Sequence, residues 1–333
     1  MMLTRDHVMA HGVYFYVHRD PFSPKSFHYA TECLASGLKK LGVPVYSNLS
    51  DPLFQSRAID RAGPQLYVFV LTDQNHNAEL LKAIQAYPGR FKVILSNSDT
   101  TSSMTALPEI LSFMAHESTF RPIKGARVPW PFGLSHERIE NGAAGLPFEQ
   151  RRPVLVRNFR PSPNQAIRNV LDLTFVPHLS SHFTIDRTIA DNHFERLKSS
   201  LGCLAYCGHF EEDFSPNPYF AQEPGYMAYR QAVSFLQQPM VTRWDNWRWW
   251  ESLSSGCLTF HLDFEKYGLA LPVLPVPWEH YIPVDLAEPK AIAEKLIELR
   301  PRWAEIAANG KVWALANYSP IAVAERFIRQ VSS

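Results

Sequence analysis

Short apolar runs alternate with amphipathic helix patterns along most of this chain, and this alternation limits its fold more than any other feature. In the first half it predicts strands at 12–17, 43–47, 66–72 and 90–96 and helices at 27–42 and 77–88. The run LYVFVLT (66–72) is apolar throughout, as in a strand that is buried on both faces of a parallel sheet. Strand–helix–strand units of this kind are typical of a doubly wound α/β sheet.

The second half repeats the pattern after a polar, glycine-bearing segment at 135–153. It predicts strands at 153–159, 203–210, 239–244 and 257–262 and helices at 164–173, 188–200, 226–237, 246–255 and 289–299. A short helix is also expected at 104–115, and mostly helical chain at 301–333. Two α/β domains joined by a linker predict a cleft between them, and such sheets bind ligands at the carboxyl ends of their strands.

The composition excludes several classes of protein. A hydrophobic content of 46% with 20% charged residues is that of a soluble globular protein. A net charge of +1 predicts no nucleic-acid partner, although a local basic patch leaves a peripheral association with membranes open. The four cysteines in apolar runs, the absence of a signal-peptide pattern and the absence of a membrane-length apolar run predict a cytoplasmic protein.

The segment RWDNWRWWESLSSGCLTFHLDFEKYG (243–268) carries the chemistry. It predicts a helix that Asp245 or Asn246 can cap, followed by a Ser-Ser-Gly stop and a buried strand. The start of a helix offers free backbone N–H groups to a phosphate, and Arg243 and Arg248 add positive charge there.

Glu251 lies about one and a half turns into this helix. Its long side chain can point back over the helix start, where a carboxylate would accept hydrogen bonds from ribose hydroxyls. An ordinary solvated helix face is the competing interpretation of Glu251 and Arg248.

Three stretches of the second half resemble GT-B glycosyltransferases. WWESLSSGCLTFHLD (249–263) is similar to the EAL-x-SGC-x-P segment found in group 1 and exostosin-like members, in which the Glu binds the nucleotide ribose. WEHYIPVDL (278–286) and KVWALANYSPIAVAERFI (311–328) resemble C-terminal parts of the same superfamily. The resemblance covers roughly 240–330 by motif and, more weakly, the whole chain by order of elements.

The resemblance implies two Rossmann-like domains of the GT-B type that face each other across a cleft. Residues 1–140 would bind the acceptor, 141–153 would be the linker, 154–312 would bind the nucleotide sugar, and the helix at 313–333 would cross back to the first domain. It further implies a hexosyltransferase that uses a nucleoside diphosphate sugar, a glycan, lipid-linked or small-molecule acceptor, and neither cofactor nor metal.

Seven residues are assigned to the donor nucleotide and its diphosphate: Arg157, Arg160, Arg243, Asn246, Arg248, Glu251 and Ser252. The first two belong to the loop 156–168, which lies where the family has its phosphate-contacting loop. Ser162, Asn164 and Arg168 of the same loop are further candidates, and a basic loop that faces solvent is the competing interpretation.

One position departs from the family pattern. Many retaining members carry a second Glu eight positions before the ribose Glu, where this chain has Arg243. The sequence therefore leaves retention or inversion of stereochemistry open. It also leaves open a catalytically silent GT-B-like protein that binds a nucleotide sugar or acts as a scaffold.

The general base is predicted at the carboxyl end of the first strand, where Asp20 and His18 stand. His28, Asp73, His76 and Asp99 are alternatives at this and other strand ends. Each of these residues can equally be a cap or loop residue.

Other interpretations are weaker. Cys203, Cys207 and His209 share one face of a predicted strand but lack paired Cys-x-x-Cys spacing, so buried thiols are predicted rather than a metal site. Of the tryptophans at 244, 247, 249 and 250, which can stack on a base or a sugar, Trp247 and Trp250 share a helix face and are predicted to lie in the core. No G-x-G-x-x-G follows the first strand, which excludes the usual NAD or FAD site, and the missing signal peptide disfavours a periplasmic-type binding protein.

Overall fold

The computed structural model describes residues 3–17, 29–56, 66–71, 77–87, 89, 91–96, 110–120, 126–143, 145–159, 166–189, 192–210 and 241–332. The strands are β1 Val13–Val17, β2 Val45–Ser47, β3 Gln55–Ser56, β4 Leu66–Leu71, β5 Lys92–Ser96, β6 Ser112–Met114, β7 Arg127–Pro129, β8 Arg152–Val156, β9 Thr184–Asp186, β10 Ser200–Leu204, β11 His209–Phe210, β12 Val241–Thr242, β13 Leu258–Leu262 and β14 Ile282–Val284. The helices are α1 Arg5–His11, α2 Tyr29–Lys40, α3 Asn77–Ala86, α4 His136–Ala143, α5 Ala166–Thr174, α6 Val176–Leu179, α7 His193–Ser199, α8 Trp247–Ser254, α9 Pro289–Glu298, α10 Trp303–Tyr318 and α11 Pro320–Val331.

The chain divides into two compact units. The first contains Met1–Glu117, Pro122–His136 and Ala316–Ser333, and the second contains Ser118–Arg121 and Glu137–Leu315. Each unit has a parallel sheet of its own, as the alternation of strands and helices predicts. None of the described helices is both long enough and apolar enough to cross a lipid bilayer.

The first unit is built on a seven-stranded sheet in the order β3-β2-β1-β4-β5-β6-β7, and all of its strand pairs are parallel. Every residue of β4 is buried, in agreement with its uninterrupted apolar sequence. Aromatic pairs fill one face, with Tyr14 stacked on Tyr67 at 5.1 Å between ring centroids. The sheet order reverses beside β1, which makes this a doubly wound sheet.

The last helix belongs to the first unit and packs against α2. The contact is close at Gly37, because a Cβ atom there would lie 1.8 Å from the carbonyl oxygen of Pro320 and 2.9 Å from the Cβ of Ala324. Phe327 of the same helix reaches the ring of Phe113 in β6, at 5.0 Å between centroids. The small residue at position 37 therefore sets how near the two helices approach.

The second unit has a five-stranded parallel sheet in the order β14-β13-β10-β8-β9 and a short antiparallel pair, β11 with β12. The order of its strands along the chain reverses between β8 and β10. Loops that leave the carboxyl ends of strands on either side of such a reversal diverge and leave a crevice for a ligand. The segments after β8, β9 and β10, and the start of α8, lie at this edge.

Three sequence predictions are wrong at the level of elements. Residues 112–114 form a strand, not the end of a helix at 104–115, because they pair with β5 on one side and β7 on the other. The polar segment 135–153 contains α4, and the predicted strand 203–210 is split into β10 and β11 by an irregular turn. Helix α1, capped by the Thr4 hydroxyl, was not predicted at all.

Candidate functional site

The start of α8 is fixed by Asn246. Its side-chain oxygen accepts a hydrogen bond from the backbone N–H of Trp249 at 3.1 Å, so Asn246 is the N-cap, one of the two residues that the sequence predicted for this role. The amide nitrogen of the same side chain donates to the carbonyl oxygen of Ala205 at 2.6 Å. Because Ala205 directly follows β10, this bond ties the helix start to the carboxyl edge of the sheet.

Arg243, which lies in the turn that leads into α8, has an unusual backbone conformation. Its φ of 53° lies in the left-handed region, which costs free energy for a residue with a side chain. The thiol of Cys207 lies 3.1 Å from the carbonyl oxygen of Arg243 and 3.0 Å from that of Trp244, so these contacts hold the turn against the segment that follows β10. Backbone strain of this kind concentrates at functional sites.

Arg248 connects α8 with the loop after β8. Its Nε donates a hydrogen bond to the carbonyl oxygen of Asn158. Its side chain is only partly buried. Arg248 therefore lies between two of the segments that border the crevice.

The carboxylate of Glu251 is buried, with 7% of its side chain exposed, and it already has cationic and polar neighbours. Oε1 forms an ion pair with Arg138 of α4. Oε2 lies 3.1 Å from Nε2 of His193, the first residue of α7. Glu251 is thus not on a solvated helix face.

His193 is a second unusual group in this cluster. The residue is 9% exposed; its Nε2 faces Oε2 of Glu251 at 3.1 Å, and its Nδ1 makes no hydrogen bond. Burial lowers the pKa of His193 to about 4, and the charges of Arg248, Arg196 and Arg138 add to this shift. The neutral imidazole lies beside the carboxylate of Glu251, and perturbed pKa values of this kind cluster at functional sites.

The remaining donor candidates are engaged in structural contacts. Arg157 is buried; its Nε donates to Asp172 at 3.0 Å and its Nη1 donates to the carbonyl oxygen of Phe159 at 2.7 Å. Ser252 is fully buried, and its hydroxyl donates to the carbonyl oxygen of Trp249 at 3.1 Å. Their assignment to the diphosphate stays a prediction, and these contacts supply no observation in its favour.

The tryptophans divide differently from the prediction. Trp244, Trp249 and Trp250 are buried, and the indole N–H of Trp250 donates to Asp245 at 2.7 Å. Trp247 is 38% exposed, so the prediction that it lies in the core is wrong. It is the first residue of α8, and the guanidinium carbon of Arg138 lies 5.1 Å from its ring centroid.

Several predicted residues lie outside the described part of the chain: His18, Asp20, His28, Asp73, His76, Asp99, Arg160, Ser162 and Asn164. Cys203 and Cys207 are buried free thiols, as predicted. No group of three or more His, Cys, Asp or Glu side chains within the described ranges is arranged to hold a metal ion. The structure adds two residues that the sequence did not indicate, Arg138 and His193.

No protein-family model matches this chain, and no curated protein matches it either. Among solved structures it is similar to Anabaena HepE in complex with UDP-glucose (11% identity over 96% of this chain and 99% of that chain, TM-score 0.43) and in complex with UDP (10% identity, the same coverage, TM-score 0.45). A glycosyltransferase from Rickettsia africae gives 12% identity over 94% of this chain and 83% of that chain, with a TM-score of 0.42. TM-scores below 0.5 at this level of identity do not establish a shared ligand or activity.

Proposed function

We propose that this protein is a glycosyltransferase that transfers a hexose from a nucleoside diphosphate sugar, and that the diphosphate binds at the start of α8. The observation that carries the proposal is a capped helix start at the carboxyl edge of a parallel sheet, with Arg248 in its first turn and Arg243 four residues before it in the chain. Backbone N–H groups and guanidinium groups both stabilise phosphate oxygens. The similarity of residues 249–263 to the ribose-binding segment of GT-B enzymes favours a nucleotide sugar over other phosphates.

The same groups give the reaction its electrostatic support. When the glycosidic bond to the diphosphate breaks, negative charge builds up on the leaving group. Arg243, Arg248 and the first-turn N–H groups of α8 would neutralise that charge, so that neither a metal nor a cofactor is needed. The acceptor, a glycan, a lipid-linked sugar or a small molecule, is proposed for the first unit, with Asp20 or His18 as the base.

The assignment of Glu251 to the ribose is tested by ligand-induced stabilisation. UDP, GDP, ADP, CMP, dTDP and their common sugar conjugates are screened by thermal shift, because a ligand at a hundred times its Kd stabilises the folded state by about 2.7 kcal/mol. We expect one nucleotide family to raise the Tm. Glu251→Ala should need at least ten times more of that nucleotide to reach the same rise in Tm. Glu305→Ala, which removes an exposed carboxylate paired with Arg302 on α10, is the matched control and should respond like the wild type. A loss of nucleotide affinity in Glu251→Ala that is no larger than its loss of affinity for inorganic pyrophosphate, which has no ribose, would overturn the ribose assignment.

A catalytically silent nucleotide-sugar-binding protein is the second candidate. It rests on Arg243, which stands where many retaining enzymes have the Glu that contacts the donor sugar. Binding of a nucleotide sugar with no transfer and no hydrolysis of the donor would favour this function. Release of the nucleoside diphosphate in the presence of any acceptor would exclude it.

A further inference from the structure

We infer that Arg138 of α4 is a ligand of the donor diphosphate and that Glu251 is the residue that positions it. The inference rests on the proposed function and deepens it, because it adds a residue from the polar segment 135–153, where no helix or strand was predicted. No motif and no similarity pointed to this residue.

Helix α4 contacts α8 near both of its ends. A Cβ atom at Gly142 would lie 2.8 Å from the hydroxyl oxygen of Ser254, so α4 approaches the end of α8 closely. At the other end, the guanidinium carbon of Arg138 lies 5.1 Å from the ring centroid of Trp247. Positions 247, 251 and 254 recur at helical spacing and form one face of α8. The guanidinium group of Arg138 therefore lies at the start of α8, where the diphosphate is proposed to bind.

The guanidinium group of Arg138 is held in place from two sides. Glu251 forms an ion pair with it, and the ring of Trp247 gives it a cation–π contact. The side chain of Arg138 is 18% exposed and that of Glu251 is 7% exposed, so the pair is largely shielded from water. A buried carboxylate that fixes a guanidinium group lowers the entropic cost of binding an anion, because the group does not have to be ordered by the ligand.

A second observation points to a polar ligand at the same cluster. His193 is 9% exposed; its Nε2 lies 3.1 Å from the other oxygen of Glu251, and its Nδ1 makes no hydrogen bond. Buried polar atoms are nearly always hydrogen-bonded in native proteins, so an exception calls for a missing partner. Arg138 pairs with Glu251 and Arg196 pairs with Asp186, whereas Arg248 donates to a neutral carbonyl oxygen. The cluster therefore keeps a net positive charge, which fits an anionic ligand better than a cation or an apolar group.

Inorganic pyrophosphate is the probe that tests Arg138, because it carries the diphosphate without a ribose. Its Kd is measured by isothermal titration calorimetry on the whole protein, together with the Kd of UDP, GDP, ADP and dTDP. We expect Arg138→Gln to weaken pyrophosphate and the bound nucleotide by at least tenfold each, and Arg138→Lys to recover part of that loss. Arg302→Gln, which removes an exposed guanidinium paired with Glu305, should change neither value more than twofold. Equal binding by wild type and Arg138→Gln, with matching Tm values, would overturn the inference.

The direction in which Glu251→Ala changes the affinity for pyrophosphate tells whether Glu251 positions Arg138 or only adds negative charge. A carboxylate that acted only through its charge would repel the anion, so Glu251→Ala would tighten binding. A positioning residue must do the opposite, and we expect Glu251→Ala to weaken pyrophosphate about fivefold in the wild type and not at all in the Arg138→Gln background. Tighter binding by Glu251→Ala would overturn its positioning role. If pyrophosphate binds through Arg138 while all four nucleotides fail to bind, the proposed function is wrong and the anion site stands.

Discussion

At the scale of single residues, Asn246 does two tasks with one amide group. Its oxygen caps α8 and its nitrogen satisfies the carbonyl of Ala205. Because the residue is 6% exposed, its loss would leave both partners without a replacement from bulk water. We expect Asn246→Ala to destabilise the second unit by about 2 to 3 kcal/mol, the sum of a lost cap and an unsatisfied carbonyl. The urea midpoint of tryptophan fluorescence measures this change.

Two variants show whether the amide group is the cause. Asn246→Asp keeps the capping oxygen but cannot donate to Ala205, so its midpoint should fall between those of the wild type and Asn246→Ala. Ser319→Ala removes a hydroxyl at the start of α11 that makes no capping hydrogen bond, and it should change stability by less than about 0.5 kcal/mol. A similar loss for Ser319→Ala and Asn246→Ala would contradict the capping explanation.

The sequence predicted the parts of the site that are local in the chain. The cap, the neighbouring arginines and the carboxylate all lie within nine residues, and helix rules place them relative to one another. Arg138 and His193 were not predicted, because each reaches Glu251 from a different helix, far away in the chain. One Arg and one His in polar segments carry no signal until tertiary packing brings them to the same carboxylate.

At the scale of elements, apolar periodicity located the central strands correctly and failed at short or polar ones. Strands such as β1 and β4 are easily predicted because burial on both faces makes their sequences apolar throughout. The three residues of β6 are too few to show a period, and pairing with two neighbours decides their conformation. Helix α4 was missed because its sequence, HERIENGA, is almost entirely polar and carries no apolar stripe.

The contact of α2 with α11 predicts that Gly37→Ala lowers the free energy of unfolding, although the same change usually raises it in a helix. Gly→Ala in a helix interior normally stabilises by up to about 1 kcal/mol. At Gly37 the added methyl group would lie 1.8 Å from the carbonyl oxygen of Pro320, which is backbone and cannot rotate away. We therefore expect Gly37→Ala to destabilise the protein by about 1 to 3 kcal/mol, the usual cost of overpacking.

The matched change is Ser36→Ala, one position earlier in α2. It adds no atoms, so the free energy of unfolding from its urea titration should stay within about 0.5 kcal/mol of the wild-type value. Fraying of α11 should lower the helical circular dichroism signal in Gly37→Ala only. A more stable Gly37→Ala protein would mean that α11 does not sit against α2 at this distance.

At the scale of the whole molecule, stability depends on pH through buried histidines. Burial lowers the pKa of His193 and of His261 to about 4. The charges of Arg248, Arg196 and Arg138 add to the shift at His193. Each ring nitrogen of His261 lies beside a carbonyl oxygen, of Trp244 or of Leu262, and these oxygens favour the protonated form and so oppose the shift at His261. In the unfolded chain both titrate near 6.5. The unfolded state therefore binds more protons between these two values, and folding stability falls as the pH falls.

The size of this effect follows from the two pKa values. Each histidine contributes its full stabilisation above pH 6.5 and loses it as the pH falls towards 4. Between pH 7.5 and pH 5.0 each should lower the free energy of unfolding by about 2 kcal/mol, or about 4 kcal/mol together. Urea titrations at pH 7.5, 6.0 and 5.0 measure the loss. His193→Gln and His261→Gln, which cannot titrate, should each remove about half of the pH dependence, whatever they cost at pH 7.5. An unchanged pH dependence in either variant would show that the pKa of its imidazole in the folded protein is close to the unfolded value of about 6.5. For His193 this would mean that the carboxylate of Glu251 offsets both its burial and its three arginine neighbours.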